Sequence, residues 1–126
     1  MSPSVPAIES IGQVSIVVKD VERATGFYRD TLGLKFLFAF PGMAFFDCGG
    51  VRLYLSAAEK PELDRTSILY YRVADIHAAA AALEARGVAF IQRPAMVHQD
   101  ARHELWLADF KDSEGNTLAL MSEVPR

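Results

Sequence analysis

The chain reads as an α+β protein: two βαβββ modules whose strands form a curved, cup-shaped mixed β-sheet with helices on its outer side. Three observations predict this. The first is an internal repeat. Val18-Lys19-Asp20-Val21 lies over Val73-Ala74-Asp75-Ile76 at an offset of 55, Gly33 and Phe36 lie over Gly87 and Phe90 at 54, and Asp47, Gly50, Leu53 and Leu55 lie over Asp112, Gly115, Leu118 and Leu120 at 65. A unit repeated in this way cannot bury its apolar face alone and needs its neighbour. The second is a switch of apolar period within each half, from the alternation of a strand to helical spacing and back. The third is matched punctuation: an aspartate opens each helical run and a glycine ends it.

The elements follow in order. Residues 1–10, with Pro3 and Pro6, form a leader, and residues 11–58 the first module. Ile11–Val18 alternates as a strand. Asp20 caps a helix that places Val21, Ala24, Tyr28 and Leu32 on one face, and Gly33 stops it. Strands are expected at Lys35–Phe40, Ala44–Cys48 and Val51–Ser56, with turns at Pro41-Gly42 and Gly49-Gly50. Residues 59–67 are a linker, and 68–123 the second module. There Ile68–Val73 is a strand, and Asp75 caps a helix with Ile76, Ala79, Ala80 and Leu83 on one face, ended by Gly87. Val88–Gln92 is a strand, Pro94–Arg102 a loop, Glu104–Phe110 a strand, Asp112–Asn116 a turn and Thr117–Ser122 the last strand.

Composition narrows the function classes. A chain of 126 residues is one domain long and can bury a proper core. Net charge is -3 and the Lys and Arg are scattered, so no basic patch for nucleic acid is expected. Cys48 is the single cysteine, which excludes a disulfide framework and any CxxC site. Neither a signal peptide nor a membrane-length apolar run is read, so the expected location is the cytoplasm.

The paired modules, "DVERATGFYRDTLGL" after the first strand and "DSEGNTLAL" near the end resemble the vicinal oxygen chelate superfamily, the group of glyoxalase I, extradiol dioxygenases, methylmalonyl-CoA epimerase and the fosfomycin and bleomycin resistance proteins. The resemblance covers about residues 11–123. It implies the glyoxalase/bleomycin resistance fold, commonly dimeric. In metal-dependent members it implies four ligands, one from the first and last strand of each module. Carried over by motif, these positions are Gln13, Tyr54, Ile68 and Ala119, and the repeat maps Gln13 onto Ile68 and Tyr54 onto Ala119. As a set they are non-ligating. A catalytic divalent site generally uses about three protein ligands. An amide, a phenol, an alkyl chain and a methyl group do not supply them.

No cofactor is therefore expected. The resemblance then implies a binding protein of the bleomycin-resistance type, taking a small organic molecule in a sheet-lined cleft and working as a homodimer. The alternative is a glyoxalase-like lyase, isomerase or epimerase, or a dioxygenase-type enzyme. It would need a displaced divalent metal on His98, His103 or Glu104, or metal-free acid–base chemistry by Asp109. Alternation along the strands puts Gln13, Ser15 and Val17, then Arg52, Tyr54 and Ser56, then Ile68, Tyr70 and Arg72, then Thr117, Ala119 and Met121 on the inner face. His103, Leu105, Leu107 and Asp109 follow on the seventh strand. Tyr54 and Tyr70 can grip a ligand or simply fill the cup. Arg52 and Arg72 can bind an anion, though pairing with surface carboxylates is the plainer expectation. Asp109, if buried, would carry a raised pKa and could act as a base. His103 is placed at the pocket rim, His77 on the surface, Cys48 as an inert buried thiol, and Trp106 and Phe110 beneath a helix.

Overall fold

A computed structural model describes residues 10–58 and 67–126. Most of the leader and of the linker therefore lies outside the described residues. The first module comprises β1 (Gln13–Val18), α1 (Val21–Gly26), β2 (Lys35–Phe40), β3 (Met43–Cys48) and β4 (Val51–Ala57). The second comprises β5 (Leu69–Arg72), α2 (Ile76–Ala85), β6 (Phe90–Gln99), β7 (His103–Lys111) and β8 (Thr117–Pro125). Each module folds its strands into its own four-stranded sheet, in the order β1-β4-β3-β2 and β5-β8-β7-β6. The first strand of each runs parallel to the last, and the remaining neighbours are antiparallel. The curved surface is thus built of two mixed sheets of identical connectivity.

The helices start where an aspartate can accept a backbone proton. Asp20 Oδ1 accepts from Arg23 N, and Asp75 Oδ1 from Ala78 N, both at 3.0 Å. Each bond satisfies an N–H that the helix itself cannot. The first helix does not stay α. Phe27–Thr31 forms a π turn, with Leu32 N bonded to Phe27 O at 2.9 Å. The hairpin turns at the repeated glycines need a left-handed backbone, and Gly50 and Gly115 have φ of 92° and 81°.

One core serves both modules. Val18, Tyr28, Phe46 and Leu55 from the first pack in a single cluster with Ile76, Leu83, Phe110 and Leu118 from the second. Trp106 packs against it, as does Tyr71, while Phe110 is fully buried, both as the alternation predicts. The β7–β8 turn locks the modules together. Glu114 accepts from Lys19 N, Asp20 N and Arg23 Nε, and Asn116 Nδ2 donates to Val17 O. Beneath it Tyr28 donates to Asp112 Oδ2 at 2.7 Å.

Two expectations need correction. Pro94–Arg102 is not a loop: β6 continues through Pro94 to Gln99. It is an edge strand, where a residue with no N–H is tolerated, and its register shifts three times against β7. Ile68 lies just outside β5, which opens at Leu69.

Candidate functional site

The faces of the two sheets turned away from the helices hold the candidate residues. On the first sheet, register places three rows across the strands β1, β4 and β3 and on to β2. Gln13, Arg52, Asp47 and Lys35 form a polar row. Ser15, Tyr54, Phe45 and Phe38 form an aromatic row, and Val17, Ser56, Met43 and Phe40 an apolar one. A bulge between Phe36 and Phe38 keeps the last strand in step: Phe36 stays over core residue Phe46, and Phe38 and Phe40 swing to the open face.

The aromatic row is a stack. Tyr54 lies 4.9 Å from Phe45 with 19° between the rings, and Phe45 lies 4.7 Å from Phe38 at 29°. These separations equal the spacing between strands, so the rings stand off the sheet side by side. Phe40 closes one end edge-on at 5.5 Å from Phe38. The Arg52 guanidinium lies 5.8 Å from the centroids of both Phe38 and Phe45. It forms no ion pair among the described residues, contrary to the plainer expectation for it.

On the second sheet the open face carries Tyr70, Ala119 and Asp109 in one row and Arg72, Met121 and Leu107 in the next. Tyr70 is 50% exposed. Arg72 is held by Glu123 at 2.8 Å, which is the surface pairing expected of it. Asp109 is half-buried rather than buried, and its carboxylate makes no hydrogen bond among the described residues. His103 is exposed at the start of β7, and Glu104, its neighbour, faces the other way and accepts from Trp106 Nε1. The displaced set of His98, His103 and Glu104 is therefore not assembled on one face. Among the described residues no group of three or more His, Cys, Asp or Glu side chains is placed to hold a metal ion.

The four carried-over positions fare no better as ligands. Gln13 and Tyr54 are on the first sheet and Ala119 on the second, with Ile68 beside its edge strand. Two of the four have no donor atom, and the ring of Tyr54 is committed to the stack. This donor set does not suit a divalent cation.

Cys48 is half-buried. Burial pushes its thiol pKa up and the nearby Asp47 adds to the effect, so the thiolate a nucleophile needs is disfavoured. His77 is exposed and lies edge-on to Trp106 at 5.0 Å. Sequence reasoning missed Phe38, Phe40 and Phe45. The signal was present in "KFLFAF" and "MAFFDC" joined by a Pro-Gly turn, but the bulge at Leu37 breaks the alternation that would have aligned them.

Paired βαβββ modules with an open sheet face on each define the class of protein. Residues 10–120 match the model of the Glyoxalase/Bleomycin resistance protein/Dioxygenase superfamily, and the chain belongs to that family. Solved structures share the fold. A glyoxalase/bleomycin resistance protein/dioxygenase from Nocardioides is 22% identical, with 95% of this chain and 87% of that one covered and a TM-score of 0.78. A lactoylglutathione lyase from Agrobacterium tumefaciens is 20% identical, with 93% and 96% covered and a TM-score of 0.74. A family member from Alicyclobacillus acidocaldarius is 16% identical, with 91% and 92% covered and a TM-score of 0.73. No curated protein matches the chain. None of the described helices is long and apolar enough to cross a membrane.

Proposed function

We propose that this protein binds and sequesters a small organic molecule on its open sheet faces, in the manner of a bleomycin resistance protein, without a metal and as a homodimer. One observation carries the reading: the stacked row Tyr54, Phe45 and Phe38 stands on the face where metal-dependent relatives would place ligands. Aromatic surface with a few polar groups is how small-molecule sites are built. Tyr70 on the second sheet offers a further ring with a hydroxyl handle.

The experiment is a fragment screen followed by amide chemical-shift mapping. Hits should perturb Gln13, Ser15 and Tyr70, and Tyr54→Ala or Tyr70→Ala should weaken them by about tenfold, the equivalent of ~1.4 kcal/mol. In the same protein Mn, Ni, Zn and Fe should not raise the melting temperature, whereas a tight ion in hundredfold excess over its Kd would add about 2.7 kcal/mol. Hits indifferent to both tyrosines, or a clear metal shift, would sink the reading.

A second reading rests on Asp109. Its carboxylate is half-buried beside Ala119, which separates it from Tyr70 in the same row, and has no hydrogen-bond partner among the described residues. That placement suits a base in a glyoxalase-like lyase, isomerase or epimerase. Turnover of any substrate that Asp109→Asn abolished would favour this reading over sequestration.

A further inference from the structure

The aromatic row ends abruptly at β1. Register continues it from Tyr54 to Ser15, where the side chain is small and exposed. Tyr54 and Phe45 stack across adjacent strands at 4.9 Å with 19° between the rings, so one face of the Tyr54 ring is turned toward Phe45. Its second face therefore looks over Ser15. The vacancy above Ser15 is one strand wide, about 4.8 Å, which is the spacing at which the row already stacks. A flat ring laid there becomes the fourth member of the stack.

Arg52 and Gln13 are partners in the adjoining polar row. The guanidinium rests over Phe38 and Phe45 and has no carboxylate partner among the described residues. An exposed cation–π contact is a weak interaction. A carboxylate offering two charge-assisted hydrogen bonds competes well against it. Arg52 is thus a flexible cation free to swing back toward an anion held over β1, where the Gln13 amide adds a donor.

We propose that the ligand of this face is a planar aromatic acid, its ring stacked on Tyr54 above Ser15 and its anionic group taken by Arg52 and Gln13. This rests on the small-molecule reading above and narrows it to one chemical class and one place.

Titration calorimetry with three probes tests it: 2-naphthoate, its neutral amide and the aliphatic acid decanoate. Naphthoate should bind at least tenfold more tightly than either of the others. Ser15→Phe, which supplies the fourth ring from the protein, should abolish naphthoate binding, and Ser15→Ala should preserve it. Arg52→Gln should bring naphthoate down to the level of the amide. The position is exposed, so circular dichroism should report Ser15→Phe as folded; if it is not, Ser15→Leu fills the same vacancy and replaces it. Decanoate bound as tightly as naphthoate, naphthoate binding unchanged in the filled variant, or no naphthoate binding at all would each overturn the assignment. The parent reading would survive all three if other fragments still perturbed the Gln13, Ser15 and Tyr70 amides, and would fall only if none did.

Discussion

Tyr28 and Tyr71 are two phenols facing the same core with opposite hydrogen-bond fortunes. Tyr28 donates to Asp112, whose carboxylate also accepts from the Glu114 and Asn116 backbone and from Asn116 Nδ2. Burial, together with the Asp112 charge, drives the Tyr28 pKa far up, so its proton is fixed on the donor side of that bond. The Tyr71 hydroxyl is buried with no partner among the described residues, and its pKa too is pushed up by burial, then by Cys48 and Asp112. Removing a hydrogen bond to a buried charge costs about 1.5–3 kcal/mol, whereas deleting an orphaned hydroxyl removes a desolvation penalty. Tyr28→Phe should therefore lower stability by ~2 kcal/mol in urea, and Tyr71→Phe should be neutral or stabilise by up to ~1 kcal/mol. A loss of stability in Tyr71→Phe as large as in Tyr28→Phe would show that the second hydroxyl is bonded after all.

Among the elements, the β7–β8 turn and the start of α1 depend on each other. The Glu114 side chain is fully covered, and burial alone would raise its pKa. The hydrogen bonds from Arg23, Asp20 N and Ser113 and the Arg23 charge outweigh that and hold it below the ordinary 4.5. A group whose folded pKa is depressed contributes stability that is complete above its unfolded value and is lost as pH falls through the folded one. Stability should thus be level with respect to this group above its ordinary pKa of 4.5 and decline below it, and Glu114→Gln should flatten that acid limb. An acid limb of unchanged slope in the variant would place the titration elsewhere, at Asp100, whose pKa is held down by backbone bonds from Arg102 and His103, or at Asp30, whose pKa the Arg29 hydrogen bond lowers. Much of this element-level design was legible in the chain. Asp20 and Asp75 announce the helix starts, and Gly50 and Gly115 the turns, because caps and left-handed turns demand particular residues. Beyond these, local signals misled. Pro94 reads as a breaker, yet an edge strand tolerates it, and the π turn at Phe27–Thr31 is hidden in ordinary helical spacing. The open-face residues of β1, β4, β5, β7 and β8 followed from alternation, while the aromatic stack required a bulge and a cross-strand register that periodicity alone does not encode.

At the scale of the whole molecule the two outer edges are unequal. The β6 edge carries Arg93, Pro94 and three register shifts, devices that discourage another strand from pairing. The β2 edge has less of this protection, only Lys35 and the single bulge at Leu37. All six of its residues are exposed, with Phe36, Leu37 and Phe38 each more than a third exposed and Phe40 at 58%. An apolar, lightly guarded edge is a template for self-association, and the proposed homodimer gives it an occupant. A second copy placed there would have to bury on the order of 1,200 Å² or more in total to be stable. Leu37→Lys introduces a charge at an already exposed bulge position and should leave the fold intact while weakening association by at least tenfold in sedimentation equilibrium. The proposed ring site lies at the opposite end of the sheet, three strand spacings or about 14 Å from β2. Naphthoate affinity should therefore be the same in Leu37→Lys as in the parent protein. Loss of both properties in that one variant would mean that the dimer, and not the single chain, shapes the site, while a parent protein that sediments as a monomer would leave the β2 edge to some partner other than its own copy.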